Sequence, residues 1–255
     1  MREDDNRAQI EIMNNAIKRG VSGVILAPVE ALPLRTSVYR AIEHGIPMVI
    51  VGTDLGLPPG PHLSYVLNDE QLGGKLAARE IGSLLRGRGD IAILGIHNQL
   101  TSTSEREHSL EATLRAEFPN VHVVFRSFSF TTASQEQQSA ERLLSSDAHI
   151  QAIAALSENS TRGAFYALHE FNLATRIHLV GFDQNLLLPL RTGGIDAVLM
   201  QNTNRMGREA IQLIDKEIRG NTPPGTIIVP PLLVTRENIN SPEVNEILNL
   251  GWYNQ

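Results

Sequence analysis

Helical segments and short apolar runs alternate along this chain from one end to the other, and this alternation limits the folds available to it. Residues 8–19 have apolar side chains at helical spacing, and the nearly continuous apolar run 21–27 (VSGVILA) follows them. A second helical segment, 34–44, precedes a second apolar run, 46–51. Short apolar runs of this kind are typical of parallel strands covered on both faces. The pattern predicts an α/β fold with doubly wound parallel sheets, in which 21–27 is a buried strand.

Polar side chains follow the predicted strands or open the helices behind them, at the edge where open α/β folds place their ligands. This set comprises Asp54, Arg106, Ser157, Glu158, Asp183 and Gln201. An arginine supplies a fork of donors, and carboxylates and an amide supply acceptors, so the set suits the vicinal hydroxyl groups of a small ligand. Taken singly, an Asp after a strand is more often a helix cap or a turn former. The joint pattern favours binding of a hydroxylated solute without chemistry performed on it.

Motifs for catalysis and for cofactors are absent from the sequence. It has no G-x-G-x-x-G that opens a helix, no G-x-x-x-x-G-K-[ST] and no G-x-S-x-G, so the dinucleotide, P-loop and hydrolase classes lack their characteristic motifs. There is no cysteine, and the eight histidines do not pair at the spacing of metal ligands. We therefore expect neither an enzyme nor a metal or cofactor site.

The net charge and the first residues of the chain indicate which partners to expect and in which compartment the protein is found. The net charge is −6 and the pI is about 5.8, with 22 scattered Lys and Arg residues, so neither a nucleic acid nor an anionic membrane is an expected partner. Residues 1–6 (MREDDN) do not form a signal peptide, which predicts a cytoplasmic product for the chain as written. If the gene start is truncated, the expected location is periplasmic.

Several blocks of the sequence resemble the type I periplasmic sugar-binding protein family, the ribose-binding-like group that shares its fold with the effector-binding cores of LacI-type repressors. The most specific blocks are LVGFD at 179–183 and IDAVLMQNTNRMG at 195–207, and others are GVSGVILAPVE, GIPMVIVGTD, YVLNDEQLGGKLAARE and ALSENSTRGAFYAL. The resemblance implies two lobes joined by a hinge, with a monosaccharide held in the cleft between them. It implies a first lobe of residues 1–68 and 202–230, a second lobe of 69–201 and 231–240, and a tail of 241–255.

The resemblance also implies roles for individual residues. Asp54 corresponds to the first-lobe carboxylate that grips sugar hydroxyls, Arg106 to the second-lobe arginine, Asp183 to the carboxylate of the Gly-Phe-Asp turn and Gln201 to the hinge glutamine. This sequence departs from the family pattern at several of its ligand positions. Ser157 and Glu158 replace a common Asn-Asp pair, Leu55 replaces a frequent Arg, and Thr131, with Phe128 and Phe130 nearby, replaces an aromatic that often stacks on the sugar.

The family's first strand, first helix and second strand have no counterpart in this sequence, so we expect a first lobe truncated at its N-terminus. The strand from Val21 to Ala27 would then lie at an uncovered sheet edge. An apolar edge invites pairing with another chain. We expect either a homodimer through this strand or a gene start placed too late.

These inferences lead to a hypothesis about function. The chain is expected to be the solute-binding component of an ABC-type sugar transporter, with a sugar or polyol as its ligand and the transporter's membrane subunits as partners. The alternative is the effector-sensing core of a LacI-type transcription regulator that lacks its DNA-binding headpiece. An enzyme of Rossmann type would need a nucleophile or an acid-base pair, which the sequence does not name.

Overall fold

The structure is a computed structural model that describes residues 6–97, 101–128, 132–146, 149–221 and 225–248. Backbone contacts divide the chain into two compact units. The first unit gathers the described residues of Met1–Asp69, Gln99–Ser102 and Asn202–Val229, and the second gathers those of Glu70–Asn98, Thr103–Gln201 and Pro230–Gln255. No helix in these described ranges is long and apolar enough to cross a membrane.

The described chain alternates helices and strands almost throughout. In chain order the elements are α1 (Asn6–Arg19), β1 (Val24–Leu26), α2 (Ala31–Glu43), β2 (Met48–Gly52), β3 (Leu63–Asn68), α3 (Glu70–Leu84), β4 (Arg88–Ile96), α4 (Thr101–Glu117), β5 (Asn120–Phe128), α5 (Ala133–Leu144), β6 (Ala152–Ala155), α6 (Glu158–Glu170), β7 (His178–Gly181), α7 (Leu187–Thr192), β8 (Ala197–Met200), α8 (Thr203–Ile218), β9 (Thr226–Val229), β10 (Leu232–Thr235) and α9 (Pro242–Leu248).

The first unit is built on a parallel sheet with the strand order β1-β2-β3-β9. Successive residues of a strand face opposite sides of a sheet. Accordingly, Met48 and Ile50 of β2 pack in one core with Leu34 of α2, whereas Val49 packs in another core with Ala210 of α8. Helices therefore cover both sides of the sheet, which is the doubly wound arrangement that the sequence predicts.

The run 21–27 forms a shorter and more exposed strand than its sequence predicts. Only Val24–Leu26 is a strand, it lies at the edge of the sheet, and Ile25 is 43% exposed. Ile25 is in register with Val49, which places it on the α8 side. The prediction of a strand covered on both faces is wrong, because in the described chain no neighbouring strand lies beyond β1 to extend the surface that α8 covers.

The second unit is built on a larger sheet with the order β10-β8-β7-β6-β4-β5. All its neighbouring strands are parallel except the edge strand β10, which is antiparallel to β8. A fully parallel sheet was expected here, so β10 is a departure from that expectation. Many α/β folds carry one antiparallel edge strand on an otherwise parallel sheet.

Two apolar cores lie on the two sides of this second sheet. One contains Ala92 and Leu94 of β4 with residues of α5 and α6, and the other contains Ile91 and Ile93 with residues of α3 and α4. Helix α9 buries Val244 in the first of these cores. Residues 249–255 of the expected tail lie outside the described residues.

Candidate functional site

The candidate site begins at the carboxyl ends of the parallel strands of the second unit. Leu94, Ala155 and Gly181 are in register on β4, β6 and β7, so the residues that follow β6 and β7 leave the sheet side by side. Those residues are Leu156 and Ser157 after β6, and Phe182 and Asp183 after β7. The carboxyl edge of a parallel sheet is where ligands bind in open α/β folds.

Arg106 of α4 forms a closed, buried cluster at this edge. Its Nε donates to Oε2 of Glu70 at 2.5 Å, and its Nη1 donates to the carbonyl oxygen of Leu156 at 2.6 Å. The guanidinium carbon lies 4.3 Å from the centre of the Phe182 ring, a cation-π contact. The side chains of Arg106 and Glu70 are only 7% and 8% exposed. Within the described chain, Nη2 is the guanidinium nitrogen of Arg106 that keeps no hydrogen-bond partner.

Gln201 joins the same cluster through Glu70. Its Nε2 lies 3.5 Å from Oε1 of Glu70, a long hydrogen bond, while the other carboxylate oxygen faces Arg106. Glu70 is the first residue of α3, where the helix dipole favours a negative charge. One carboxylate therefore positions both Arg106 and Gln201, which are two of the residues predicted from the sequence.

Gly74 explains how α3 and α4 approach closely enough for this cluster to form. A Cβ at Gly74 would lie 2.0 Å from Oγ of Ser109 and 2.3 Å from the carbonyl oxygen of Arg106. Only a hydrogen fits in that space. Gly74 is therefore a packing glycine, and it positions Arg106 by letting α4 lie against α3.

A second cluster at the same edge contains Asp183, Glu158 and Arg162. Nε of Arg162 donates to Oδ2 of Asp183 at 2.9 Å, and its Nη2 donates to Oε1 of Glu158. The backbone N–H of Asn185 donates to the other Asp183 oxygen at 2.7 Å. Burial lowers the pKa of Arg162, but the hydrogen bond and charge of Asp183, together with the charge of Glu158, outweigh it and raise that pKa. Asp183 thus has an internal partner on each oxygen.

Ser157 has a structural role at this edge of the sheet. It is the N-cap of α6: its hydroxyl accepts from the backbone N–H of Ser160 at 3.2 Å, and the Ser160 hydroxyl accepts from the backbone N–H of Ser157 at 3.0 Å. The helix therefore starts at Glu158. The role of Ser157 as a ligand contact stays a prediction, as does the same role for every other residue of the predicted set.

Asp54 lies in the first unit, after β2. It is exposed, and its Oδ1 accepts from the backbone N–H of Gly56 at 2.7 Å, which closes a local turn. The next residue, Leu55, is fully buried in the core of that unit. Nearby, burial and then the charge of Asp54 raise the pKa of Tyr65 to about 12. The Tyr65 hydroxyl donates to the carbonyl oxygen of Leu57 at 2.8 Å and so fastens the same turn.

The structure groups the predicted residues differently from the sequence. Arg106 and Gln201 both hydrogen-bond to Glu70, whereas Glu158 and Asp183 both hydrogen-bond to Arg162. Neither Glu70 nor Arg162 belongs to the set predicted from the sequence. The spacing of Glu158 and Arg162, four residues apart on one helix, is the signal that could have found the second pair.

Phe128 is 59% exposed, while Phe130 and Thr131 lie outside the described residues. No group of three or more His, Cys, Asp or Glu residues suited to a metal ion occurs in the ranges that the structure describes.

Comparison with known proteins gives consistent matches along most of the chain. The ribose import binding protein of Bacillus subtilis is 24% identical over 237 residues, which cover 92% of this chain and 75% of the relative. The D-ribose/D-allose-binding protein of Pseudomonas aeruginosa is 22% identical over 249 residues, covering 91% and 76%. A carbohydrate transporter solute-binding protein of Agrobacterium radiobacter, solved with D-arabinose, has a TM-score of 0.88 at 21% identity and is matched over 97% of this chain and 85% of that chain.

The structural match shows that the two-lobed type I fold expected from the sequence is present. The sequence profile of the periplasmic binding protein domain matches residues 2–222. Members of that family bind solutes and do not transform them, so the expectation that the chain is not an enzyme is confirmed. The chain belongs to the periplasmic binding protein family.

Proposed function

We propose that this chain is the solute-binding component of an ABC-type importer and that it binds a monosaccharide or a related polyol in the periplasm. One named relative is an import binding protein for ribose, and this favours transport over the regulator core that the sequence left as an alternative. The transporter's membrane subunits would be the partners that receive the solute.

The observation that carries this proposal is the buried cluster around Arg106. Its guanidinium charge is balanced by Glu70, and Nη2 keeps a donor to offer. A charge that is already balanced favours a neutral ligand over an ionised one, because a net charge buried on binding would lack a partner. Gln201, held by the same carboxylate, adds an amide that both donates and accepts. Together these groups match the hydroxyl groups of a neutral sugar.

The second cluster adds a further reason for a neutral ligand. It contains one guanidinium group and two carboxylates, those of Glu158 and Asp183, and so carries a net negative charge. A sugar acid would meet repulsion there, whereas an uncharged sugar would not. The prediction that Asp54 also contacts the ligand rests on the sequence alone.

A ligand screen with a matched variant tests the proposal. D-ribose, D-allose, D-arabinose and myo-inositol would be screened by thermal shift, and each hit measured by isothermal titration calorimetry. A bound ligand raises the melting temperature by mass action. Gln201→Ala is expected to weaken a hit by roughly tenfold, the value of one hydrogen bond to a ligand. The control Gln9→Ala removes a half-buried glutamine of the first unit whose side chain, within the described residues, hydrogen-bonds to the backbone at 27 and 29. If no neutral sugar or polyol binds, or if both variants bind alike, the proposal is wrong.

We also propose a homodimer that forms through the edge of β1. The support is the position of β1 at the sheet edge together with the exposure of Ile25. An unpaired edge with an apolar side chain is a template for a second strand. Light scattering coupled to size exclusion would measure the mass. Ile25→Lys is expected to give a monomer, with Ile12→Lys, another exposed isoleucine of the first unit, as the control. A monomeric mass for the unaltered chain at high concentration would contradict the dimer.

A further inference from the structure

Arg162 differs from Arg106 in how much of it remains available to a ligand. It is 33% exposed, whereas the Asp183 side chain that it covers is 0% exposed. A ligand that approaches this part of the edge therefore meets the guanidinium group of Arg162 before it meets the carboxylate of Asp183. This order of exposure reverses the roles that the sequence suggests for the edge.

Hydrogen bonds fix the orientation of the Arg162 guanidinium group from two sides. Nε is held by Asp183 and Nη2 by Glu158, so within the described chain Nη1 is the nitrogen left without a partner. Asn185 completes the frame, because its backbone N–H binds Asp183 at 2.7 Å and its side-chain amide lies 3.4 Å from Glu158. A planar group held along two of its sides presents its third side in a defined direction.

We propose that Arg162 is a specificity-determining residue of this site, donating from its guanidinium group to an oxygen of the solute, and that Asp183 is a positioning residue which acts through it. The inference rests on the function proposed above. The chemistry fits a neutral hydroxylated solute, because a hydroxyl or ring oxygen accepts a hydrogen bond without adding charge to a cluster that is already negative. Asp183 has no exposed surface through which to accept from the solute directly while Arg162 stays in place.

A double-mutant cycle separates this arrangement from direct binding by Asp183. Arg162→Leu, Asp183→Asn and the double variant would be compared by calorimetry, using as probe the tightest binder among D-ribose, D-allose and D-arabinose. Arg162→Leu is expected to raise the Kd roughly tenfold to a hundredfold, the effect of losing a charge-assisted hydrogen bond. If Asp183 acts through Arg162, the double variant is no weaker than Arg162→Leu, since two residues of one unit are not additive.

Controls keep the test independent of folding. Arg115→Leu removes another arginine of the same unit that pairs with a glutamate four residues away, and it is expected to leave the Kd unchanged. Circular dichroism checks that each variant is folded. Arg162→Lys keeps the charge but loses the planar fork, so it is expected to bind at an intermediate level, and it replaces the leucine variant if that one does not fold.

Three results would overturn the inference. Binding by the Arg162 variants within about threefold of the Arg115→Leu control would show that Arg162 only stabilises the fold. A double variant whose loss equals the product of the two single losses would show that Asp183 binds the solute directly. If none of the probes binds the unaltered chain, the proposed function fails and this inference fails with it, a result distinct from binding that ignores Arg162.

Discussion

The two arginine clusters at the edge of the second unit both pair an arginine with carboxylates, but they differ in exposure. Arg106 and Glu70 are both buried, and their hydrogen bonds tie α4 to the start of α3 and to the end of β6. Arg162 joins a fully buried Asp183 to a largely exposed Glu158. Burial determines what breaking a pair costs, because water can solvate the partner left behind only at an exposed site. We infer that the first cluster builds the edge and that the second adapts it to a ligand.

The largest expected effect comes from removing one partner of the buried pair. Arg106→Met leaves the Glu70 carboxylate buried without its counter-ion and is expected to lower the free energy of unfolding by about 3–5 kcal/mol. Urea unfolding followed by circular dichroism would measure this. The double variant Arg106→Met with Glu70→Gln removes the charge as well and is expected to recover most of the loss. A single variant as stable as the unaltered chain would abolish the distinction between the two clusters.

The next effect tests the close approach of helices that carries the buried cluster. Gly74→Ala places a Cβ against Ser109 and Arg106, and is expected to cost about 1–3 kcal/mol through overpacking. Gly207→Ala is the matched control, since a Cβ at this position in α8 meets nothing within 4 Å. There the change is expected to stabilise the chain by about 0.5–1 kcal/mol through helix propensity. Equal effects of the two substitutions in thermal unfolding would contradict the packing argument.

Removing the partly exposed Arg162 is expected to change stability less. Arg162→Leu leaves the buried Asp183 carboxylate bonded to the backbone N–H of Asn185, and because Arg162 is one-third exposed, water can reach that carboxylate more readily than it reaches Glu70, so a cost of about 1–2 kcal/mol is expected. The same urea experiment gives the value. A cost as large as that of Arg106→Met would mean that the second cluster is as structural as the first.

The smallest effect concerns Glu80, a half-buried acid whose charged neighbours in the described ranges are Asp196, Glu237 and His178. Burial raises its pKa, the charges of Asp196 and Glu237 raise it further, and His178 lowers it. Folded chains therefore hold this proton more tightly than unfolded ones, so stability falls as the pH rises from the unfolded pKa through the raised folded pKa. Glu80→Gln is expected to stabilise the chain at pH 7 by less than about 1 kcal/mol and to have no effect near pH 4. Thermal unfolding at the two pH values would show this. A stabilisation by Glu80→Gln that is greater at pH 4 than at pH 7 would contradict a raised pKa for Glu80.

The sequence predicts the backbone of the edge well and its side-chain pairings poorly. Alternation of helices and strands places Asp183 and Gln201 after β7 and β8, because parallel strands end at one edge. By contrast, Arg106 meets Glu70 across 36 positions of the chain, and Arg162 meets Asp183 across 21. Such pairings depend on how closely helices approach, which sequence periodicity does not report. The apolar run 21–27 did not predict the exposure of Ile25, because such a run shows what a strand can bury and not where the strand lies in the sheet. The resemblance to the family placed this strand at the sheet edge, where it lies.

The capping box of Ser157 and Ser160 has a practical consequence for anyone who wishes to retune this protein as a sensor. The first turn of α6 is held by the hydroxyl groups of Ser157 and Ser160, so its capping bonds do not involve the side chains of Glu158 and Arg162. A library randomised at those two positions would vary the chemistry offered to a solute while the capping bonds are kept.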